Sequence, residues 1–193
     1  LGEIDEACRL VFSNLSRAAD LVGRFKRTSV DQVRGAARLY DLKETLTDVV
    51  ASLHDVVKRT PVRIRIECAE SINLYGYPGA LGQIITNLVI NSLHHGFANG
   101  TRAGEIELTG ARDGDAIVIT IRDNGKGMDA PILSRIFEPF FTTARESGGT
   151  GLGLFICHNL ATSELKGSLR CDSEPGRGTR FVLRYPAQSA PAA

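Results

Sequence analysis

Pro78-Gly-Ala-Leu-Gly-Gln-Ile-Ile-Thr-Asn-Leu-Val-Ile-Asn-Ser-Leu-His-His95 is the stretch that decides how this chain folds. Proline is well tolerated in a first helical turn, so a helix can open at Pro78 and run to about His95. No residue from Pro78 to Leu93 is charged, which means that most of its surface must be buried. Yet Gln83, Asn87, Asn91 and His94 or His95 recur at three or four residues and form one polar stripe. Buried amides need hydrogen-bond partners. Either neighbouring loops supply them, or something polar lies along three turns of the helix.

The flanking segments supply the layer that buries this helix. Asp41 starts an earlier helix, with Glu44 three residues on to complete a capping arrangement. Its apolar face is Leu42, Leu46, Val49, Leu53 and Val56 or Val57, and Pro61 stops it. Val62-Arg-Ile-Arg-Ile66 alternates as a strand does, and a shorter strand is expected near Ile72 to Tyr75. Further strands are expected at Glu105 to Thr109, Ala116 to Arg122, Ser168 to Cys171 and Arg180 to Tyr185, with a helix from Gly151 to Glu164. Helices and strands mix without a regular βαβ repeat, so the expected fold is α+β, a two-layer α/β sandwich.

A separate unit precedes it. Ile4, Cys8, Val11, Leu15, Ala18, Val22 and Phe25 are spaced 4-3-4-3-4-3, a heptad seam of a dimerising helix, although an amphipathic helix packed on its own domain would also fit. The expected divisions are a helix over 1–30, a polar linker over 31–38 containing Gly35, the core domain over 39–186 and a disordered Ala/Pro/Ser-rich tail over 187–193. Because the chain opens on Leu1, it reads as a piece of something longer.

Composition narrows the classes. The 42% apolar and 23% charged fractions are ordinary for a globular protein. A net charge of +1 gives no reason to expect nucleic-acid binding. Cys8, Cys68, Cys157 and Cys171 are scattered without a CxxC pair, which suits reduced thiols in a cytoplasmic protein. The uncharged run from Ser71 to Thr101 holds Pro78, five glycines, four asparagines, a glutamine and two histidines. Those groups are costly in hydrocarbon, so no membrane segment is expected there.

Three segments carry chemistry: Asn87-Leu-Val-Ile-Asn91, Asp123-Asn-Gly-Lys-Gly127 and Gly149-Thr-Gly-Leu-Gly153-Leu. The glycine-rich run Gly148–Leu154 opens a helix but fits neither the Walker A nor the GxGxxG pattern. Its physics is still that of a phosphate cradle, because side-chain-free residues expose amide N–H groups and a helix N-terminus favours negative charge. Asp-Asn-Gly alone is an ordinary turn. In this order, with Ile136-Phe-Glu-Pro-Phe-Phe-Thr-Thr143 between the last two and Gly176-Arg-Gly178-Thr179 following, the segments resemble the N, G1, F and G2 boxes of sensor histidine kinases and their last glycine box. The resemblance covers roughly residues 36 to 186.

That resemblance implies a Bergerat-type ATP-binding fold, with ATP and Mg²⁺ as cofactors. It gives Asn91 to the magnesium, as a hard oxygen ligand, and Asn87 and His94 to the phosphates as catalytic groups, His94 replacing a lysine common in relatives. Asp123 would accept from the exocyclic amine of adenine, while Gly125 and Gly127 let backbone approach the base. Gly149, Thr150, Gly151, Leu152, Gly153 and Leu154 would cradle phosphates beneath a lid anchored by Phe137, Phe140 and Phe141. Thr142 and Thr143 belong to that lid. Relatives place a lysine after the threonines, whereas this chain has Ala144 and then Arg145, which would supply the missing charge to the cofactor one residue out of register. Thr179 would lie beside the adenine.

The implied reaction moves the γ-phosphoryl of Mg-ATP to a histidine and then to an aspartate of a response-regulator receiver domain. The implied partners are that receiver, the chain's own dimerisation and phosphoacceptor hairpin, and a second copy in a homodimer. The acceptor is expected outside this chain. His54-Asp55 imitates it, but Lys58 and Arg59 stand where the family has Thr or Asn and then Pro. ATPases of the mismatch-repair, Hsp90 or gyrase type place a glutamate base where this chain has Asn87, and an amide cannot activate water. A serine-kinase regulator of the anti-sigma type, or a nucleotide-sensing module without catalysis, would also be compatible with these segments.

Overall fold

The computed structural model of the chain describes residues 36–68, 71–144 and 149–188. The heptad segment and Arg145 lie outside the described residues. Element order is β1 (Arg38–Asp41), α1 (Leu42–Ser52), α2 (His54–Val57), β2 (Val62–Glu67), β3 (Asn73–Gly76), α3 (Pro78–Asn91), β4 (Gly104–Asp113), β5 (Ala116–Asp123), α4 (Ala130–Leu133), α5 (Gly153–Asn159), β6 (Ser168–Glu174) and β7 (Gly178–Pro186).

Five strands form one mixed sheet in the order β2-β4-β5-β7-β6, with only the β2–β4 pair parallel. Alternation sorts its faces, since successive side chains on a strand point opposite ways. Ile106 and Leu108 of β4, Ile117, Ile119 and Ile121 of β5, and Phe181, Leu183 and Tyr185 of β7 are buried. Between them Glu107, Arg122, Arg180 and Arg184 stay wet or half-wet. Helices α1, α3 and α5 cover the buried face. The two-layer α+β sandwich expected from the pattern is present.

Helix α3 is the centre of the helical layer. Ala80, Leu81, Ile84, Ile85, Leu88 and Val89 are all fully buried, the i, i+3, i+4 spacing of an inward stripe. Each large aliphatic side chain contributes about 1.5–3 kcal/mol through burial. Asp41 caps α1 through its side chain, accepting from the Glu44 N–H at 2.8 Å. The expected apolar face is buried at Leu42, Leu46 and Leu53 and half-buried at Val49 and Val57. The helix breaks at Leu53, and Val56, on the short α2, is 46% exposed.

Three local differences from the pattern have physical causes. Strand β1 begins at Arg38, the last residue of the expected linker, because it pairs antiparallel with β3, a partner 32 or more residues away that local propensity cannot reveal. Residues 187 and 188, expected to begin a tail, are tied down: Ala187 N–H donates to Asp115 O, and Gln188 O accepts from Tyr75 N–H at 3.0 Å. Helix α4 is too short to show a period in the sequence, although Asp129 caps it by accepting from Ile132 N–H and Pro131 sits in its first turn. Among the described residues no helix is long and apolar enough to cross a membrane.

Candidate functional site

At its C-terminal end α3 widens into a π turn over Ser92–Gly96, marked by Phe97 N–H bonding Ser92 O at 3.0 Å. Such turns recur at functional sites. Here the turn puts Ser92 beneath the end of β5, where its hydroxyl donates to Asp123 Oδ2 at 2.7 Å. Asp123 is 3% exposed. Its Oδ1 takes two backbone N–H groups, from Gly125 at 2.9 Å and Thr179 at 3.2 Å. Burial pushes its carboxyl above the ordinary aspartate range, and these three bonds only partly oppose that. A carboxylate has about four acceptor positions. Three are used, so Oδ2 keeps a lone pair for an external donor.

Asp123 forms part of the wall of a cavity of about 340 Å³, within the range of small-molecule sites. Ile132, Ile136, Met128, Leu154 and Phe181 make it apolar, while Asn91, His94, His95 and Lys126 bring polar and basic groups. The cavity also takes in Thr142, Thr143, Gly149, Thr150, Gly151, Gly153, Gly127 and Thr179. Of the residues singled out from the sequence, most therefore meet around one space.

Asn87, Gly125 and Leu152 do not reach its wall. Asn87 instead joins two helices: its Oδ1 accepts from Gln83 Nε2 at 3.2 Å, and its Nδ2 donates to Gly153 O at 3.5 Å. Asn87 thus ties α3 to the first residue of α5. Gly125 stands behind the wall, where a Cβ would come within 2.8 Å of the Gly96 backbone. Leu152 is buried just before α5.

Two glycines are needed for reasons other than room for a ligand. Gly127 has φ +67° and lies against the Glu174 carbonyl. Gly151 has φ +68°, and a Cβ there would come within 2.7 Å of the backbone of Phe140 and Phe141. Gly153 differs. A Cβ on it would have only the Asn91 amide as a neighbour, at 3.9–4.0 Å, so its open side faces the cavity. Among the described residues the Asn91 amide makes no hydrogen bond, which leaves a hard oxygen donor free on the wall.

Lys126 and His95 join the wall in addition to the residues that the boxes point to. Lys126 sits inside the Asp-Asn-Gly-Lys-Gly turn, where its charge is the one signal the sequence offers. Burial first, then the charges of Lys126 and His94, hold the His95 imidazole below the usual histidine range. His95 Nδ1 also lies 3.5 Å from Thr143 Oγ1, which links the π turn to the segment after Phe141. In that segment the Arg135 guanidinium stands 4.5 Å over the Phe141 ring and pairs with Glu138, while Phe137 packs against His158.

Residues 76–189 match the family described as histidine kinase-, DNA gyrase B-, and HSP90-like ATPase. The chain is 34% identical over 172 residues to the sensor histidine kinase RcsC of Salmonella typhimurium, covering 86% of this chain and 18% of that protein. The crystal structure of full-length ShkA in complex with AMPPNP superposes with a TM-score of 0.74 at 26% identity, over 97% of this chain and 39% of that one. The histidine kinase ThkA in complex with the response regulator protein TrrA gives 0.69 at 20% identity, over 93% and 50%. The chain thus spans about a fifth of the curated relative it matches and under half of full-length ShkA.

Proposed function

The chain belongs to the histidine kinase-, DNA gyrase B- and HSP90-like ATPase family, and on that premise we propose that it is the ATP-binding catalytic domain of a two-component sensor histidine kinase. The observation that carries the reading is the buried Asp123 carboxylate with a spare lone pair on the cavity wall. Adenine offers an amine there. Guanine offers an oxygen, which a carboxylate repels.

The phosphates would lie between Asn91 and the Gly149–Gly153 loop. The residues present fit Mg²⁺: Asn91 Oδ1 is a free hard ligand facing open space beside Gly153, and magnesium is usually held by one or two protein oxygens together with substrate phosphates. Bound there, Mg²⁺ would neutralise charge developing on the transferred phosphoryl group. Among the described residues no three His, Cys, Asp or Glu side chains cluster as metal ligands, so the protein's share of that site is the Asn91 amide. Lys126, His94 and His95 are the basic groups of the described wall that bias it toward phosphate. The domain's work in phosphoryl transfer is then positioning and electrostatic stabilisation.

Transfer to a histidine, rather than hydrolysis, fits the residue at 87. Asn87 is an amide bonded to Gly153 O and cannot take a proton from water. The acceptor histidine would sit on the dimerisation hairpin of the parent homodimer, and a response-regulator receiver would take the phosphoryl onward. The test is phosphotransfer from radiolabelled ATP. This chain alone should gain no acid-labile phosphate, and the same chain joined to the acceptor hairpin should. Label that survives in the chain alone and vanishes in His54→Gln would overturn the assignment.

A further inference from the structure

Among the described residues the sheet has a second face, turned away from the main helical layer. On the side away from α1, α3 and α5, Glu107, Arg122, Arg180 and Asp172 line up across β4, β5, β7 and β6. Arg122 stands directly opposite Arg180, and like charges so placed are destabilising. Each also has a carboxylate as its other cross-strand neighbour, Glu107 for Arg122 and Asp172 for Arg180. Neither uses it. Glu107 is held by Arg65 at 3.1 Å, and among the described residues Arg122 and Arg180 make no ion pair at all.

These two side chains stand in a groove of about 700 Å³. Its floor holds Thr109 and Thr120, half-buried cross-strand partners. Leu133 of α4 contributes to one side, and the β6–β7 turn, pinned by the Arg177–Glu174 pair at 2.8 Å, contributes to another.

We propose that this groove docks an acidic, extended segment of a partner polypeptide, whose carboxylates pair with Arg122 and Arg180. The charge pattern selects the occupant. A guanidinium fork matches a carboxylate bidentately. Glu107, Asp172 and Glu174 share the groove, so a continuous run of phosphates meets more repulsion there than a peptide whose carboxylates are spaced at alternate positions. Neighbouring strands are about 4.8 Å apart, and alternate side chains of an extended peptide are about 6.8 Å apart, a gap two flexible arginines can span.

The probe is the peptide Glu-Ser-Glu-Ser-Glu, capped at both ends and titrated into the isotopically labelled chain. Saturable shifts should centre on Arg122 and Arg180, and fade as salt rises to about 0.5 M, where screening reaches only a few ångströms. Arg122→Gln with Arg180→Gln should weaken binding at least tenfold with a melting midpoint no lower than the parent's, since it also relieves their mutual repulsion. Arg63→Gln, an exposed arginine at the far edge of the sheet, should change it less than twofold. Equal loss from Arg63→Gln would reduce the effect to bulk charge and overturn the proposal. So would shifts located elsewhere, unchanged binding in the double variant, or tighter binding of duplex DNA or tripolyphosphate to the same two arginines.

Discussion

Replacing Asp123 by asparagine separates base recognition from folding more cleanly than any other single change. Gly125 and Thr179 both present N–H groups to Oδ1, so the new amide must keep its oxygen there. Its NH₂ then occupies the place of Oδ2, beside the Ser92 hydroxyl, which can turn to accept. The unliganded domain therefore keeps all three bonds and sheds a buried charge. Because the folded-state carboxyl sits above its unfolded value, the folded protein binds more protons there, and stability falls as pH rises from about 3.8 towards that native value. At neutral pH the charge costs stability, so Asp123→Asn should be at least as stable as the parent in urea. Adenine, however, would meet a donor facing its own amine. Losing a hydrogen bond to a charged group costs about 1.5–3 kcal/mol, or roughly 10- to 150-fold in affinity. Calorimetry should show ADP binding weakened by that factor while GDP binding holds or improves. ADP affinity within twofold of the parent, with the domain folded, would refute the reasoning.

Asn91→Ala should leave adenosine affinity within about twofold and remove most of the magnesium dependence of ATP binding, measured by calorimetry with and without the metal. Gly127→Ala should destabilise the domain by more than the roughly 1–2 kcal/mol of a positive φ, since its Cβ also meets the Glu174 carbonyl; Gly176→Ala, at φ +78° with nothing within 4 Å, should cost only the conformational part in the same urea melts. His95 is held below its ordinary pKa, so the free domain should lose stability as pH falls from about 6.5 towards the lower native value. Phosphates in the cavity offset Lys126 and favour the imidazolium, so nucleotide binding should take up a proton in that window, visible as a buffer-dependent enthalpy and absent in His95→Phe.

Much of this architecture is legible in the sequence. The uncharged stretch from Pro78 to Leu93 announces a buried helix, and the stripe along it leads to Asn91 on the cavity wall. Periodicity does not resolve the difference between stripe members. Asn87 and Asn91 are one turn apart and chemically identical, yet one is consumed by Gly153 O and the other is free. That distinction depends on where α5 lies, which is a tertiary fact. The glycines answer to more than a ligand. Gly125, Gly127 and Gly151 look like room made for a ligand, and each is also required by a neighbouring strand, turn or loop that passes too close for a Cβ. Arg38 reads as linker because its partner in β3 is remote, and Lys126 is masked by a turn whose glycines carry the stronger signal.

The parallel pairing of β2 with β4 has a kinetic consequence. The chain between them must leave the sheet, cross its face and return, and α3 is that crossing. The edge of the sheet therefore cannot close until the helix that carries Asn91 has docked. Assembly of the ligand site and completion of the core become one event, slowed by the loop that has to be gathered first. In hydrogen exchange the amides around Ile84 to Leu88 should open only with the whole domain. Those of Gly149 and Thr150, held among the described residues by little besides Thr142 and Ala144, should exchange long before. The same molecule would thus present its ligand with one wall as slow as global unfolding and another as quick as a loop.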